Sequence, residues 1–292
     1  MRGKAAEHEL VAPGSLPAVL DLLASAPGQW MPIAGGTELM VAFAAGRLST
    51  PKLVSLWGVA ELRFIDTKAD TVVIGAGTTF SDMRSNAAIA AEFPLLDKAA
   101  SWIGSIANQT RATLGGNLAN GSPAADSSPA LLVYDAEIEL ISVRGKRRMP
   151  YGQFHTGYKQ NAMTADELLY AVHLPRRFTK HCQYLRKVGT RKAMAISKVA
   201  LGATALMKDG AIEEIRVAAA SLAPFPARLV QTEAALAGKS PGTEVIEAAR
   251  QALLAEAQPI DDIRSNAQYR MVVGANLLQE FLLGLNREAE SR

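Results

Sequence analysis

Two pairs of adjacent glycines constrain the fold of this 292-residue chain more than any other feature. The first lies in Ala34-Gly35-Gly36-Thr37 and the second in Thr113-Leu114-Gly115-Gly116-Asn117. Glycine permits positive φ and lets backbone N–H groups approach a ligand closely. A helix-like pattern follows the first pair from Glu38 to Ala45, with Thr37 as its expected cap and Gly46 as its stop. The pattern therefore predicts a turn that presents N–H donors to an anion.

The second glycine pair opens a segment rich in small polar residues. Thr110 to Pro123 is dense in glycine, asparagine and hydroxyl side chains, which is typical of turns and loops. Hydrogen-bonding groups continue beyond the glycines at Asn117, Asn120, Ser122 and Asp126. Such donors and acceptors suit a diphosphate joined to a ribose or ribityl chain. A single pair of glycines is usually only a turn, and two such segments in one chain strengthen the case for phosphate binding.

The composition argues against several classes of protein. Hydrophobic residues make up 49% and charged residues 20%, which is ordinary for a globular chain. The net charge of +3 is too small to indicate nucleic-acid binding. A single cysteine, Cys182, rules out an internal disulfide or a cysteine-ligated iron–sulfur cluster built from this chain alone. The four histidines show no metal-binding spacing, so we predict no metal site.

The hydropathy pattern predicts no membrane span, because no apolar run approaches the roughly 18 residues that a spanning helix needs. The first ten residues lack the apolar core of a signal peptide. We therefore expect a cytoplasmic protein.

Two other nucleotide-binding patterns are incomplete. Gly75-Ala76-Gly77-Thr78-Thr79 follows a predicted strand, but Phe80 stands where a dinucleotide fingerprint needs glycine or alanine. Gly238-Lys239-Ser240 resembles the end of a Walker A loop, but Glu233 occupies its first glycine position. We interpret both segments as structural turns.

The periodicity of apolar residues favours an α+β architecture, since helices and strands alternate irregularly. A Pro- and Arg-rich stretch, 175–180, indicates a domain boundary. Helices are predicted at 15–25, 38–45, 80–87, 95–107, 228–236, 242–255 and 265–285. Strands are predicted at 52–56, 62–66, 71–74, 131–134, 137–143, 168–174, 183–188, 200–207 and 212–220.

Both glycine segments resemble those of the FAD-binding medium subunits of molybdenum hydroxylases, of the xanthine dehydrogenase and carbon monoxide dehydrogenase type. The similarity extends over 33–39 and, almost position for position, over 111–126. Phe154-His155-Thr156-Gly157 and Asp166-Glu167-Leu168-Leu169 resemble later landmarks of the family, and 187–197 resembles the segment that opens its C-terminal domain. The resemblance covers nearly the whole chain.

The resemblance implies an α+β fold in two domains. Residues 1–177 would form a two-lobed FAD-binding domain of the vanillyl-alcohol oxidase and p-cresol methylhydroxylase type, with lobes at about 1–58 and 59–177. Residues 178–292 would form a small α+β C-terminal domain.

The resemblance also implies an FAD site and no catalytic residue on this chain. The glycine segments would hold the diphosphate, and Ser122 and Asp126 would lie along the ribityl or ribose portion. Leu168 or Leu169 would lie by the ring system, and Lys187 near the flavin edge. The implied FAD-binding residues are Ile33, Ala34, Gly35, Gly36, Thr37, Glu38, Thr113, Gly115, Gly116, Asn117, Ser122, Asp126, Leu169 and Lys187.

The implied function is electron transfer within a heterotrimer. A large subunit would bind the molybdenum cofactor and a small subunit would carry [2Fe–2S] clusters. The FAD of this chain would pass electrons to NAD, oxygen or a quinone, and two heterotrimers could pair. Two alternatives stay open: a self-contained flavin oxidoreductase of the same superfamily, or a scaffold subunit without FAD. One departure stands out, because Ala195 replaces an aspartate common in the family's Arg-x-Ala-x-Asp-Ile-Ala stretch.

Overall fold

A parallel three-stranded sheet occupies the N-terminal part of the chain. The computed structural model describes residues 3–48 and 50–290. The first elements are β1 (Glu9–Val11), α1 (Leu16–Ser25), β2 (Met31–Ile33), α2 (Leu39–Ala44) and β3 (Lys52–Ser55). The strands pair in the order β1-β3-β2. Because all parallel strands end at one edge of a sheet, the segments that follow β2 and β3 lie side by side.

Local sequence explains both helices of this part. The prediction of α1 is confirmed, with the Ser15 side chain accepting a hydrogen bond from the N–H of Ala18 and the leucine face buried. The prediction that Thr37 caps the next helix is wrong, because α2 begins at Leu39 and Glu38 occupies the N-cap. Gly36 adopts a φ of +73°, and the turn that it makes displaces the helix start by one residue. Gly46 ends the turn after α2 with a φ of +66°, as predicted.

A five-stranded antiparallel sheet forms the second layer, and a two-stranded hairpin accompanies it. The sheet contains β4 (Ile65–Thr67), β5 (Thr71–Gly75), β6 (Glu137–Ser142), β7 (Gly145–Pro150) and β10 (Leu168–Pro175), and the hairpin contains β8 (His155–Gly157) and β9 (Gln160–Asn161). The order in the large sheet is β4-β5-β10-β6-β7. The basic run after Gly145 forms the exposed strand β7, directly after the tight turn that joins it to β6.

Six short helices cover the antiparallel sheet and share its apolar core. They are α3 (Phe80–Arg84), α4 (Ala87–Glu92), α5 (Pro94–Ser101), α6 (Ile106–Gln109), α7 (Leu114–Ala119) and α8 (Ser128–Val133). The core includes fully buried Phe80, Met83, Leu96 and Tyr134. Thr79 caps α3 through a reciprocal pair of hydrogen bonds with Asp82.

Three predictions in this region are wrong. The run predicted as a strand at 131–134 lies in helix α8 and its C-cap. It is buried on every side, so periodicity cannot distinguish a helix from a strand there. Pro129 in the first turn was the sequence signal for a helix. The segment 114–119 is helix α7 and not a loop, because Thr113 caps it and Gly115 packs closely against Ala76. The helix predicted at 95–107 is broken between α5 and α6, where Gly104 has a φ of +49°.

The C-terminal part is a four-stranded antiparallel sheet covered by three helices. Its elements are β11 (Cys182–Val188), β12 (Val199–Lys208), β13 (Ala211–Ala220), β14 (Ala227–Arg228), α9 (Val230–Leu236), α10 (Thr243–Glu256) and α11 (Ala267–Glu290). The strands follow one another in chain order, and a separate apolar core joins them to the helices. Of the helices described, none is long and apolar enough to cross a membrane.

The C-terminal sheet is fixed to the rest of the molecule through α8. Backbone contact is close, because a Cβ at Gly202 would lie 3.2 Å from the carbonyl oxygen of Pro129. Asp135 follows α8 with a φ of +51°, and its carboxylate accepts hydrogen bonds from Arg177, Arg216 and Arg228. This packing sets where β11 and the loop after it lie relative to the glycine segments.

Candidate functional site

The two glycine segments, distant in sequence, meet at one place in the structure. A Cβ at Gly35 would lie 1.7 Å from the carbonyl oxygen of Arg111 and 3.0 Å from the nitrogen of Ala112. Only glycine allows this backbone-to-backbone contact. We call the region formed by residues 34–39 and 111–117 the glycine junction.

The first segment presents a run of backbone donors. In the part of the chain that the structure describes, the N–H groups of residues 35–39 donate to no protein acceptor. The carbonyl of Gly36 accepts from the N–H of Met40 at 2.9 Å, which holds the turn in place. Consecutive outward N–H groups in a turn with a positive φ form a concavity that suits an anion.

The second segment differs, because the N–H groups of its two glycines and of Leu114 are engaged inside the chain. The N–H of Leu114 donates to the Thr78 carbonyl at 3.0 Å, and that of Gly115 donates to the Ala76 carbonyl at 2.9 Å. The N–H of Gly116 donates to Oγ1 of Thr113 at 3.1 Å. These three N–H groups are therefore not available to a ligand, and the second segment contributes open space to the junction.

The four glycines of the junction are present for different reasons. Gly35 and Gly115 are explained by close packing, since a Cβ at Gly115 would lie 2.6 Å from the Cβ of Ala76. Gly36 is explained by its φ of +73°. Gly116 is exposed, and a Cβ there would meet only Oγ1 of Thr113, at 3.0 Å. Packing hardly accounts for Gly116, which fits a position that a bound group approaches closely.

A polar chain leads from the glycine junction to the C-terminal sheet. The Ser127 hydroxyl donates to Oδ1 of Asn117 at 2.6 Å. The residue directly before Ser127, Asp126, accepts from Lys187 Nζ at 2.5 Å and from the Ser197 hydroxyl at 2.5 Å. The structure thus joins two predicted site residues, Asp126 and Lys187, directly to each other.

The Asp126–Lys187 ion pair is almost fully buried. Asp126 is 8% exposed, and Lys187 Nζ also lies 3.4 Å from the Trp102 carbonyl. Burial raises the pKa of the Asp126 carboxyl, and the Lys187 ammonium opposes that rise. The pair ties the loop after α7 to strand β11, so it positions the C-terminal sheet beside the junction.

The other predicted site residues make local contacts or pack in the apolar core. The Ser122 hydroxyl accepts from the N–H of Ala124 at 3.2 Å within a turn. Leu169 is 5% exposed and lies in the core beneath α7, while Leu168 packs in the core of the N-terminal part. Glu38 is exposed and lies 3.9 Å from Lys159 Nζ.

The hairpin of β8 and β9 reaches both glycine segments, which the sequence did not predict. Lys159 at its tip pairs with Glu38, and a Cβ at Gly121 would lie 3.1 Å from the Cα of Lys159. The φ of +53° at Lys159 forms this tip. No spacing signal marks the residue, because the contacts join segments far apart in the chain.

A cleft of about 330 Å³ lies between the α5–α6 connection and the loop after β11. We call it the cationic cleft. Its charged lining residues are Lys98, Arg186, Lys187, Arg191 and Lys192. No acidic residue is among the described residues that line it, and Ala195 lies in its wall where the family resemblance led us to expect aspartate.

Removing the Lys187 ammonium should destabilise the apo chain. Lys187→Met leaves a buried carboxylate unpaired, and we expect a loss of about 3–5 kcal/mol in the free energy of unfolding. Asp126→Asn together with Lys187→Met should recover most of it. Urea unfolding of the two single variants and the double variant measures the coupling. If Lys187→Met lowers the free energy of unfolding by the same amount in the wild type and in Asp126→Asn, the two residues are not coupled and the ion pair is contradicted.

Comparison with known proteins identifies the family. The model described as "FAD binding domain in molybdopterin dehydrogenase" matches residues 6–177, and "CO dehydrogenase flavoprotein C-terminal domain" matches residues 184–285. The chain is 32% identical over 254 residues to the xanthine dehydrogenase FAD-binding subunit of Escherichia coli O157:H7, covering 86% of this chain and 87% of that protein.

A second relative supports the same family. The carbon monoxide dehydrogenase medium chain of Hydrogenophaga pseudoflava is 26% identical, over 94% of this chain and 95% of its own length. A solved structure of carbon monoxide dehydrogenase from that organism, lacking the Mo-pyranopterin moiety of the molybdenum cofactor, superposes with a TM-score of 0.90 at 27% identity, covering 94% of this chain and 95% of that one. The α+β fold expected from the sequence is thereby confirmed. The chain belongs to the family of FAD-binding subunits of molybdopterin dehydrogenases.

Proposed function

We propose that this chain is the FAD-binding electron-transfer subunit of a heterotrimeric molybdenum hydroxylase. Electrons would come from the iron–sulfur clusters of a small partner subunit, and would originate at a molybdenum cofactor in a large one. Membership of the FAD-binding family supports this role, as do relatives named as subunits or medium chains. Pairing of two heterotrimers belongs to the same proposal.

The observation that carries the proposal is the glycine junction. The five consecutive N–H groups of residues 35–39 have no acceptor among the described residues, and the exposed Gly116 leaves space on the second segment. A diphosphate needs both features, since its oxygens accept hydrogen bonds and its bulk excludes a side chain. The bound FAD supplies hydride and single-electron chemistry, and the protein supplies its binding and orientation.

Replacing the two adjacent glycines of α7 with alanine should separate folding from binding. Gly115→Ala should lower the free energy of unfolding by about 1–3 kcal/mol, because its Cβ overlaps Ala76. Gly116→Ala should leave stability within about 1 kcal/mol and weaken FAD binding at least about tenfold. Fluorescence titration and urea unfolding measure the two quantities. Retained wild-type FAD affinity in Gly116→Ala would remove the diphosphate from this position.

We further infer that the acceptor is NAD rather than a quinone. The cationic cleft shares Lys187 with the polar chain that leads to the glycine junction. Three of its cations, Lys98, Arg191 and Lys192, have no carboxylate partner in the part of the chain described. Phosphates of a dinucleotide gain from these charges, whereas a neutral quinone does not. A cytoplasmic location belongs to this proposal, because NAD is a cytoplasmic coenzyme.

Reversing one charge of the cationic cleft should impair turnover with NAD selectively. In the assembled complex, Lys192→Glu should raise the KM for NAD about tenfold, while turnover with oxygen stays unchanged. Lys180→Glu is the matched control, since Lys180 is also exposed but does not line the cleft. Steady-state kinetics at low and high salt report the effect. Equal KM values for the two variants would contradict the choice of NAD.

The electron-transfer role is tested by purifying the assembly through a tag on this chain. We expect molybdenum and iron in the co-purified subunits, FAD on this chain, and no steady oxidation of a small organic substrate by this chain alone. Such oxidation by the isolated chain would instead support a self-contained flavin oxidoreductase. A colourless chain that still assembles with both partners would support the scaffold alternative.

A further inference from the structure

We propose that Arg111, held against the face of Trp57, is the positive group that pairs with the FAD diphosphate at the glycine junction. Its guanidinium lies 3.8 Å from the centroid of the Trp57 ring. This inference rests on the proposed FAD site and adds a residue that none of the motifs assigns. Arg111 adds a positive charge to a site whose other donors are neutral backbone N–H groups.

The topology of the parallel sheet places Trp57 beside the first glycine segment. Ile33 at the end of β2 pairs with Ser55 at the end of β3, and the N–H of Leu56 donates to the Ile33 carbonyl at 2.8 Å. Trp57 is therefore the next residue on the edge at which the turn of residues 34–36 begins. Ligands bind preferentially at this edge of parallel sheets, outside the carboxyl ends of the strands.

Arg111 reaches the same edge from the second glycine segment. Its carbonyl oxygen makes the close contact with Gly35, so its backbone belongs to the wall of the junction. Its side chain is exposed and turns onto Trp57, which is 39% exposed. Three elements thus converge: the donors of residues 35–39, the Trp57 face and the Arg111 guanidinium.

The charges around Trp57 show which arginine is available to a ligand. Arg63 also lies against the ring, at 5.9 Å, but its guanidinium donates twice to the Asp82 carboxylate, at 2.9 and 3.0 Å. Within residues 3–48 and 50–290, no carboxylate pairs with Arg111. Arg63 is therefore neutralised, while Arg111 keeps its full charge beside five unbonded N–H groups.

Stacking on tryptophan suits a phosphate-binding arginine. The planar guanidinium packs its face on the indole and leaves its N–H edge free to donate to phosphate oxygens. The ring also restricts the long side chain before a ligand arrives, which reduces the entropy lost on binding. A charge-assisted hydrogen bond of this kind is about twice as strong as a neutral one.

The test compares Arg111→Met with Arg63→Met in the full-length chain. Both substitutions remove a cation from Trp57, but only the first removes an unneutralised charge. We expect Arg111→Met to weaken FAD binding about 10- to 100-fold and to reduce its salt dependence. Arg63→Met should keep both the wild-type affinity and the wild-type salt dependence. Riboflavin, which lacks phosphate, should bind to the wild type and to Arg111→Met with equal affinity.

A conservative variant at residue 111 completes the test. Arg111→Lys keeps the charge without the planar stack, so it should restore the salt dependence and part of the affinity. Equal FAD affinities for Arg111→Met and the wild type would overturn the inference. An equal loss of affinity for FAD and for riboflavin in Arg111→Met would also overturn it, because Arg111 would then support the conformation of the loop and not the phosphates. A wild-type chain that binds no FAD would instead overturn the proposed function.

Discussion

The contact between the Gly35 backbone and the Arg111 carbonyl is the constraint on which the rest of the site depends. It joins the carboxyl edge of the parallel sheet to the segment that opens α7, and it tolerates no side chain at residue 35. Once these backbones meet, five free N–H groups, the open position at Gly116 and the Arg111 guanidinium share one edge. The proposed anion-binding surface would follow from the packing of these two backbones, with few charged groups needed.

The second constraint is the buried pair of Asp126 and Lys187. Each residue belongs to a different sheet-containing part of the chain, and each would be costly to bury alone. Their pairing, with Ser197 as a further donor, places the loop after β11 next to the polar chain from Asn117. The cationic cleft is therefore connected to the glycine junction through Lys187, which would give a structural route between the proposed FAD and the proposed acceptor.

Much of this arrangement could be predicted from the sequence, and the failures have physical reasons. Helix α1 was predicted well, because it buries a single leucine face. Strands β5, β6, β10 and β12 were predicted as apolar runs, and most of their residues are buried. Helix α8 was predicted as a strand because its residues are buried all round. Gly115 looked like a loop residue, but it is explained by Ala76, just after β5, whose Cβ would lie 2.6 Å from a Cβ at residue 115. Trp57, Arg111 and Lys159 could not be found, since their roles depend on contacts between distant segments and on no local pattern.

The central claim is that the glycine junction binds FAD, and the visible absorption spectrum of the purified chain with its released cofactor identified tests it most directly. We expect a flavin spectrum and about one FAD per chain, since one junction would hold one diphosphate. A chain purified without partners that takes up added FAD to the same stoichiometry would agree equally well. A colourless chain that refuses FAD both alone and within its assembly would contradict the account.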